Sequence, residues 1–410
     1  MSTRKLPDLV EAFAEYMGSS DAPKQYIKWA MLGVVAGALE RKVWLVKDHD
    51  TGWYPNLYLF LVGPAGSGKS TVAESAVSFL YELDGVDFLS DDINGASLFE
   101  DLRSIGARKK FSWMNDLYPH SAATLFSSEA SETFSAQYKN DGLITKLTSL
   151  YNGGLLGWHM KHGTGRSTLG GGRHTVLNPC INILACSTAQ WLITKCITKN
   201  DAAGGFGSRI ILVVAKEELR ARNEWESASQ PKDMNLRRDI IEDLRAVHKM
   251  QGPFHTSPCF RDAWSECTRK YNAWKEMQAS QGIMGGYQQR KLTQLCKVTM
   301  CLAAARRSDL VLMGKDLEDA WSMLNEIEPA MIEVLDELEL SPEARLRREI
   351  IGHLRRTERQ QVTKAEIHRL FPKQDHLQVE MAIKGLVTVG KLVATDVTAS
   401  RTLYQIIGVY

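Results

Sequence analysis

The sequence lacks a strong charge imbalance, a paired-cysteine motif and a long apolar run. It holds 50 basic and 48 acidic residues and has a net charge of +2, so any contact with nucleic acid requires a local patch rather than general attraction. None of the seven cysteines forms a CxxC pair, which argues against a zinc site and for reduced, packed thiols. No secretory h-region opens the chain, and no run is long enough to span a membrane. We therefore expect a cytoplasmic protein without a membrane partner.

Four apolar runs of strand length indicate a buried sheet. They are NLYLFLVG, SAATLFSSEASE, CINILACST and RIILVVAKE, and helical stretches separate them. Strands that are apolar along their whole length and are joined by helices are typical of an α/β fold, with a mostly parallel sheet and helices on both faces. The length of 410 residues predicts two or three domains.

The periodicity divides the chain into four parts. Residues 1–45 form an N-terminal segment with helical spacing, and residues 46–217 hold the predicted sheet. Only helical periodicity is visible from 218 to 340, which predicts a helical domain. Residues 341–410 predict three helices followed by strand, turn and strand, which is the winged-helix pattern.

The first apolar run ends in a phosphate-binding loop, the P-loop. Residues 63–70, GPAGSGKS, match G-x4-G-K-[ST] in full, and a predicted helix follows. Backbone N–H groups of such a loop point at phosphate oxygens, and the helix adds its positive end. We expect Lys69 to reach the β- and γ-phosphates of ATP and Ser70 to hold Mg²⁺; the alternative is a plain glycine turn. The expected nucleotide-binding set is Gly63, Pro64, Ala65, Gly66, Ser67, Gly68, Lys69, Ser70 and Thr71.

The second apolar run ends in the residues expected beside the metal and the attacking water. In TLFSSEASE, Ser128 stands where an aspartate is normal, and Glu129 takes the place of the residue that polarises water. With Ser128 in that position, Mg²⁺ has a weaker partner, which predicts slow hydrolysis. The alternative for Glu129 is a solvated residue at a strand end.

The third and fourth runs add a hydroxyl and an arginine. Thr188, or Ser187 as second choice, would sense the γ-phosphate or position water, and the alternative is a hydroxyl that caps a helix. Arg209 in GGFGSRIILVV follows a flexible turn directly before a strand. We expect it to act in trans on the nucleotide of a neighbouring subunit; the alternative is a surface ion pair.

Taken together, these motifs resemble the AAA+ hexameric helicases. GPAGSGKS, an acid-tipped strand, a hydroxyl-tipped strand, GFGSR and QRKLTQLCKVTMCLAAARR follow one another over roughly residues 5–335. The closest similarity is to MCM replicative helicases and to the helicase ATPases of phages and mobile elements. The resemblance implies an AAA+ P-loop core with a helical lid, ATP hydrolysis at subunit interfaces, and the cytoplasm of a bacterial host if a phage or mobile element encodes the chain. It also implies that Arg290, which opens an Arg-x-Leu lid motif, senses nucleotide.

A glycine-rich basic stretch between the second and third runs is the predicted DNA contact. In the similar helicases this stretch forms a hairpin that projects into the pore of the ring. Lys161, Arg166 and Arg173 suit contacts to the phosphate backbone without base reading, and Trp158 could stack on a base. The alternative is a solvated basic loop. The predicted winged-helix part also carries basic residues, which suit either duplex or forked DNA or a protein partner equally.

Three functions remain open at this point. The first is a ring-forming, ATP-driven DNA helicase or translocase, a homo-hexamer by resemblance, which acts on single-stranded or forked DNA beside a primase or a replication initiator. The second is an AAA+ loader or regulator that recruits another replication or transposition protein. The third is a nucleotide-dependent scaffold with weak hydrolysis, which Ser128 favours. The pore-loop stretch and Arg209 favour the helicase.

Overall fold

In a computed structural model the chain divides into two units, Met1–Leu335 and Asp336–Tyr410. The structure describes residues 4–18, 20–47, 52–134, 142–152, 158–159, 175–192, 205–215, 233–277, 282–339, 342–356, 361–372, 374–398 and 401–406. Within these ranges no helix is both long and apolar enough to cross a bilayer.

Helices and strands alternate through the first unit. Its strands are β1 Val43–Val46, β2 Gly52–Trp53, β3 Tyr58–Val62, β4 Phe88–Leu89, β5 Lys110–Trp113, β6 Asp116–Pro119, β7 Ser121–Ser127, β8 Trp158–His159, β9 Thr175–Val176, β10 Pro179–Ser187, β11 Ile210–Val214, β12 Gly252–Thr256 and β13 Val311–Leu312. Its helices are α1 Leu9–Tyr16, α2 Lys24–Leu39, α3 Lys69–Leu80, α4 Gly95–Arg108, α5 Ala130–Phe134, α6 Leu143–Leu150, α7 Ala189–Trp191, α8 Met234–His248, α9 Pro258–Met277, α10 Gly282–Arg306 and α11 Gly314–Glu339, which runs into the second unit.

The main sheet has five strands in the order β11-β3-β10-β7-β4. Every neighbouring pair is parallel, so the carboxyl ends of all five strands lie at one edge. The predicted α/β class with a parallel sheet is therefore confirmed. The four predicted runs supply four of the strands, and β4, only two residues long, is an addition that the sequence did not indicate.

The helical start of the chain packs into the same core as the sheet. Asp8 caps α1 by accepting hydrogen bonds from the N–H groups of Val10 and Glu11, a side-chain contact that satisfies donors left free at a helix start. Almost every residue of α2 is buried, in a cluster that also includes Leu59, Leu61 and residues of α3. The α2 helix is thus a central element against which β3 and the P-loop helix rest.

A second sheet corrects the interpretation of residues 218–340. Its order is β13-β12-β1-β2, with β12 parallel to β1. The prediction of helices alone over 218–340 is therefore wrong, because β12 and β13 lie inside that range. The predicted helical segment 1–45 is also wrong at its end, because β1 begins at Val43. β12 is five residues long and contains Pro253, and β13 has two residues, too few for an alternating pattern to stand out between long helices.

The second unit contains three helices and a small antiparallel sheet. The helices are α12 Pro342–Arg356, α13 Lys364–Leu370 and α14 His376–Thr388, and the strands are β14 Gln361–Thr363, β15 Leu392–Thr398 and β16 Arg401–Ile406. The sheet order is β14-β16-β15. This matches the predicted succession of three helices and a hairpin, with β14 as an additional short edge strand.

Candidate functional site

The predicted P-loop lies at the carboxyl edge of the main sheet, between β3 and α3. Gly63 is packed from behind: a Cβ atom there would lie 2.2 Å from Tyr26 Oη and 2.9 Å from Ser67 Oγ. The Tyr26 hydroxyl, buried in α2, donates a 2.7 Å hydrogen bond to the carbonyl of Val62, the last residue of β3. Only glycine therefore fits at position 63, and Tyr26 fixes the point at which the loop leaves the strand.

The rest of the loop opens outward. Gly66 and Gly68 have φ angles of 77° and 75°, a conformation that favours glycine, and a Cβ atom on Gly66 would meet nothing within 4 Å. The N–H groups of Ala65, Gly66 and Gly68 have no acceptor among the described residues. A loop with free N–H groups at the start of a helix is a site for an anion such as a phosphate.

Lys69 lies across this loop. Its side chain is largely buried and its Nζ donates a 3.0 Å hydrogen bond to the carbonyl of Pro64. It forms no ion pair with any residue of the described segments. A cation held only by a neutral carbonyl can exchange that contact for a phosphate oxygen, which is the role expected of Lys69.

The acid-tipped strand meets the P-loop helix through a hydrogen bond. β10 lies between β3 and β7, yet Ser70 Oγ reaches across to donate to the main-chain carbonyl of Ser128 at 3.2 Å. Burial raises the pKa of the Cys186 thiol, next to this contact, to about 12. The structure thus brings together the two residues assigned to Mg²⁺, Ser70 and Ser128.

Glu129 follows Ser128 at the same edge. Its carboxylate is half-buried and, within the described segments, has neither a hydrogen-bond donor nor a cationic partner. It is near enough to act electrostatically on the Cys186 thiol, as Lys69 does. A carboxylate held beside a phosphate-binding loop without a partner of its own is suited to accept a hydrogen bond from water.

Thr188 has a local structural role. Its Oγ1 accepts a 3.2 Å hydrogen bond from the N–H of Trp191 and caps α7, as the capping interpretation expected. Ser187 is fully buried, and its carbonyl accepts a 3.1 Å hydrogen bond from the N–H of Gly63. The hydroxyl-tipped strand therefore supports the P-loop directly through its main chain.

The two predicted arginines lie at the other end of the sheet. Ile210 pairs with Tyr58 and Val214 pairs with Val62, so Arg209 is level with the start of β3, about 13 Å of strand before the P-loop. Arg209 donates to the carbonyl of Gly205 at 2.5 Å and lies 5.9 Å from the centre of the Tyr151 ring. Neither its charge nor its hydrogen bonds face the P-loop of its own chain.

Arg290 lies beside Arg209. Its Nη1 donates to Asn152 Oδ1 at 3.5 Å, and its charge lowers the pKa of Arg209 as a second cause after burial. Helix α10 brings it there by close approach: a Cβ atom on Gly286 would lie 3.1 Å from the Ser208 side chain. The structure thus joins two arginines that the sequence placed in separate motifs, and it separates both from the other predicted nucleotide-binding residues.

No protein-family model matches this chain, and no curated protein matches it.

The structure describes the residues on either side of the predicted DNA-contact segment. Lys161, Arg166 and Arg173 lie outside the described residues. The ends of their segment, Trp158–His159 and Thr175–Val176, pair as antiparallel strands, the arrangement at the base of a hairpin.

Sequence reasoning missed the residues that support the two sites from behind. Tyr26 and Tyr151 are buried, one under the P-loop and one under Arg209. Each lies in an ordinary run of helical spacing, where a buried tyrosine cannot be told from any other core aromatic.

Proposed function

We propose that the chain is an ATPase of the AAA+ kind that assembles into a ring, hydrolyses ATP at the interfaces between subunits and moves along DNA as a helicase or translocase. The observation that carries the proposal is the separation of the loop from the arginines. The P-loop, Ser70 and Glu129 lie at the carboxyl edge of the sheet, and Arg209 and Arg290 lie at the amino edge.

The separation supports action in trans. With about 13 Å of strand between them, Arg209 is too far from the P-loop of its own chain to contact a phosphate bound there. Burial and the nearby charge of Arg290 both lower the pKa of Arg209, so two cations are held together at a cost that an anion would offset. The γ-phosphate of a nucleotide on a neighbouring subunit is such an anion, and ATP with Mg²⁺ supplies the phosphoryl group and the metal charge of the reaction.

The P-loop residues suit this cofactor. Free N–H groups in the loop can hold phosphate oxygens, Lys69 can leave the Pro64 carbonyl for the γ-phosphate, and Ser70 can turn from the Ser128 carbonyl to Mg²⁺. Glu129 would orient the attacking water. Ser128 in place of a carboxylate favours slow turnover, which keeps the AAA+ loader and the nucleotide-dependent scaffold as alternatives.

The second unit supports an interaction with DNA or with a partner. Three helices followed by a hairpin are the winged-helix pattern, and the described residues of this unit include basic side chains. Because acidic residues lie among them, as in the pair Lys364 and Glu380, both duplex or forked DNA and a protein such as a primase or an initiator suit this unit.

Mixing two inactive variants tests the proposal. Lys69→Ala should abolish ATP hydrolysis, and Arg209→Ala should lower it by about 10³-fold or more, since an arginine supplied in trans has effects of that size. In a random mixture, about a quarter of the interfaces join an intact loop to an intact arginine, so hydrolysis should return to a corresponding fraction of the wild-type rate. Arg269→Ala, which removes an exposed arginine paired with Glu266, is the matched control and should leave the rate unchanged.

Two results would contradict the trans assignment. One is a mixture that recovers no hydrolysis although both variants fold and bind each other. The other is a rate per subunit that stays constant on dilution below the assembly threshold. Strand separation on a forked DNA substrate distinguishes the helicase from the loader, because the loader hydrolyses ATP without unwinding.

A further inference from the structure

The amino-edge side of the first unit contains a preformed aromatic pocket. Its volume is about 240 Å³, and five aromatic rings line it: Trp44, Tyr54, Phe111, Trp113 and Tyr118. Arg41 and Asn178 supply its polar atoms. Neither the P-loop nor the arginine pair includes any of these residues, so the proposed ATP site does not account for the pocket.

The walls of the pocket are held in place. The hairpin β5–β6 brings Phe111 opposite Tyr118, with the two rings stacked 5.6 Å apart, and Trp113 meets Trp44 edge to face at 5.6 Å. Trp113 also lies against Gly252, where a Cβ atom would come within 2.5 Å of the indole ring. Rings fixed by such contacts need no rearrangement before a ligand enters, which favours binding.

The polar atoms are as well fixed as the rings. The Arg41 guanidinium is buried, lies 3.8 Å from the centre of the Tyr54 ring and donates to the carbonyl of Pro179 at 3.0 Å. Asn178 has a φ angle of 46°, an uncommon left-handed conformation. Its Nδ2 donates to the carbonyl of Pro119 at 2.8 Å, and its Oδ1 has no donor among the described residues.

These features select a class of ligand. A buried guanidinium disfavours a cationic ligand such as a methylated ammonium group, and five rings suit a flat π-system more than a small anion. A free amide oxygen can accept a hydrogen bond from the edge of a heterocycle. Nucleobases combine these properties, and proteins bind unpaired bases by stacking them on aromatic rings and guanidinium planes.

We propose that this pocket binds one base of single-stranded nucleic acid. The inference rests on the proposed action on DNA and adds to it a second contact point, apart from the glycine-rich loop. Tyr118 is the ring best suited to a test, because it is 38% exposed and its truncation removes a wall without opening the core.

The experiment measures binding of fluorescein-labelled oligo-dT to the full-length protein by anisotropy. Loss of one base–aromatic stack weakens binding by roughly 5- to 150-fold, the range equivalent to about 1–3 kcal/mol. Tyr118→Ala should therefore show a loss of that size, and Tyr118→Phe should restore affinity. Leu117→Ala is the matched control, because Leu117 is the neighbouring residue in β6, is 67% exposed and lies on the opposite face of the strand. ATP hydrolysis should be unchanged in all three variants.

An oligonucleotide of the same length with abasic sugars keeps the phosphates and removes the bases. It should bind the wild-type protein weakly and should not distinguish Tyr118→Ala from the wild type.

If oligo-dT and the abasic strand bind equally well, or Tyr118→Ala binds oligo-dT normally, the base pocket is refuted and the action on DNA stands. If the wild-type protein binds no single strand, both fail. Binding of a proline-rich peptide that depends on Tyr118, without binding of oligo-dT, would overturn the proposal in favour of a protein partner.

Discussion

Lys297 is a buried amine whose protonation should control the stability of the first unit. It is 2% exposed in helix α10, its Nζ donates to the Tyr54 carbonyl at 2.9 Å and to Asn56 Oδ1 at 2.6 Å, and it lies 4.4 Å from the centre of the Tyr151 ring. No carboxylate among the described residues pairs with it. Burial lowers the pKa of Lys297 from 10.5 to about 7.

The sign of the effect follows from proton binding in the two states. Below pH 7 the amine is charged both folded and unfolded, and the full cost of burying the ammonium is present, about 5 kcal/mol for a pKa depressed from 10.5 to about 7. Between pH 7 and 10.5 the unfolded chain holds the proton and the folded chain releases it, so stability rises with pH. Lys297→Met removes the titrating group, and the wild type should gain about 2 kcal/mol over this variant from pH 7 to 9.

Urea unfolding followed by tryptophan fluorescence measures this difference. All ten tryptophans precede residue 336, so the signal reports on the first unit alone. Other groups that titrate in this range are shared by both proteins, and their effects cancel in the difference. Lys249→Met, a change at an exposed lysine, should show no pH-dependent difference from the wild type. A constant difference between wild type and Lys297→Met at the two pH values would refute the reasoning.

Two further predictions concern a buried ion pair and the metal-side residue. Glu328→Ala should destabilise the first unit by about 3–5 kcal/mol. The Glu328 carboxylate pairs with Lys291 at 2.6 Å, and without it the Lys291 ammonium, 1% exposed, would lie unpaired between Trp274 and Trp321. Glu318→Ala, an exposed change on the same helix, should cost about 0.5 kcal/mol or less, and similar urea midpoints for the two variants would argue against a stabilising role of the buried pair. Ser128→Asp should raise Mg²⁺-dependent ATP hydrolysis on the order of tenfold, because it adds a charged partner for Mg²⁺ where Ser70 meets the acid-tipped strand. A steady-state rate no higher than wild type at saturating Mg²⁺ would mean that Ser128 does not limit the reaction.

The position of the P-loop could be predicted because the relevant signals are contiguous. A fully apolar strand, a glycine motif and a helix follow one another within residues 58–80, and local sequence decides all three. The long buried strands β7 and β10 were predictable for the same reason. The strands β4 and β13 were not, because two residues carry too little pattern. β12 was not, because Pro253, His255 and Thr256 interrupt an apolar run. The pairing of all three strands depends on distant partners.

The roles of single polar residues were harder to predict than the elements that carry them. A threonine after a strand can sense a phosphate or cap a helix, and only the hydrogen bond from the Trp191 N–H shows that Thr188 caps α7. The closeness of Arg209 and Arg290 depends on how α10 packs against the turn at Gly205–Arg209, with Gln294 Nε2 donating to the Ser208 carbonyl at 3.2 Å. The spacing of residues along the sequence does not predict such a tertiary contact.

The parallel sheet gives the proposed ring a physical basis. Because all five strands run in one direction, the phosphate-binding loop and the arginine pair are held at opposite edges and at a distance set by the length of β3 and β11. In the proposed function, one edge accepts a nucleotide and the other donates an arginine. Such a subunit is complementary to a second copy of itself in a head-to-tail manner, and contacts of that kind close into rings or extend as filaments. Lys297 lies at the arginine-bearing end of this arrangement. It donates to Asn56, just before β3, and Asn56 Nδ2 donates to the carbonyl of Tyr151, the residue beneath Arg209. These hydrogen bonds tie the start of β3, the strand that leads into the P-loop, to the residue beneath Arg209, so the two edges are joined through one strand of fixed length.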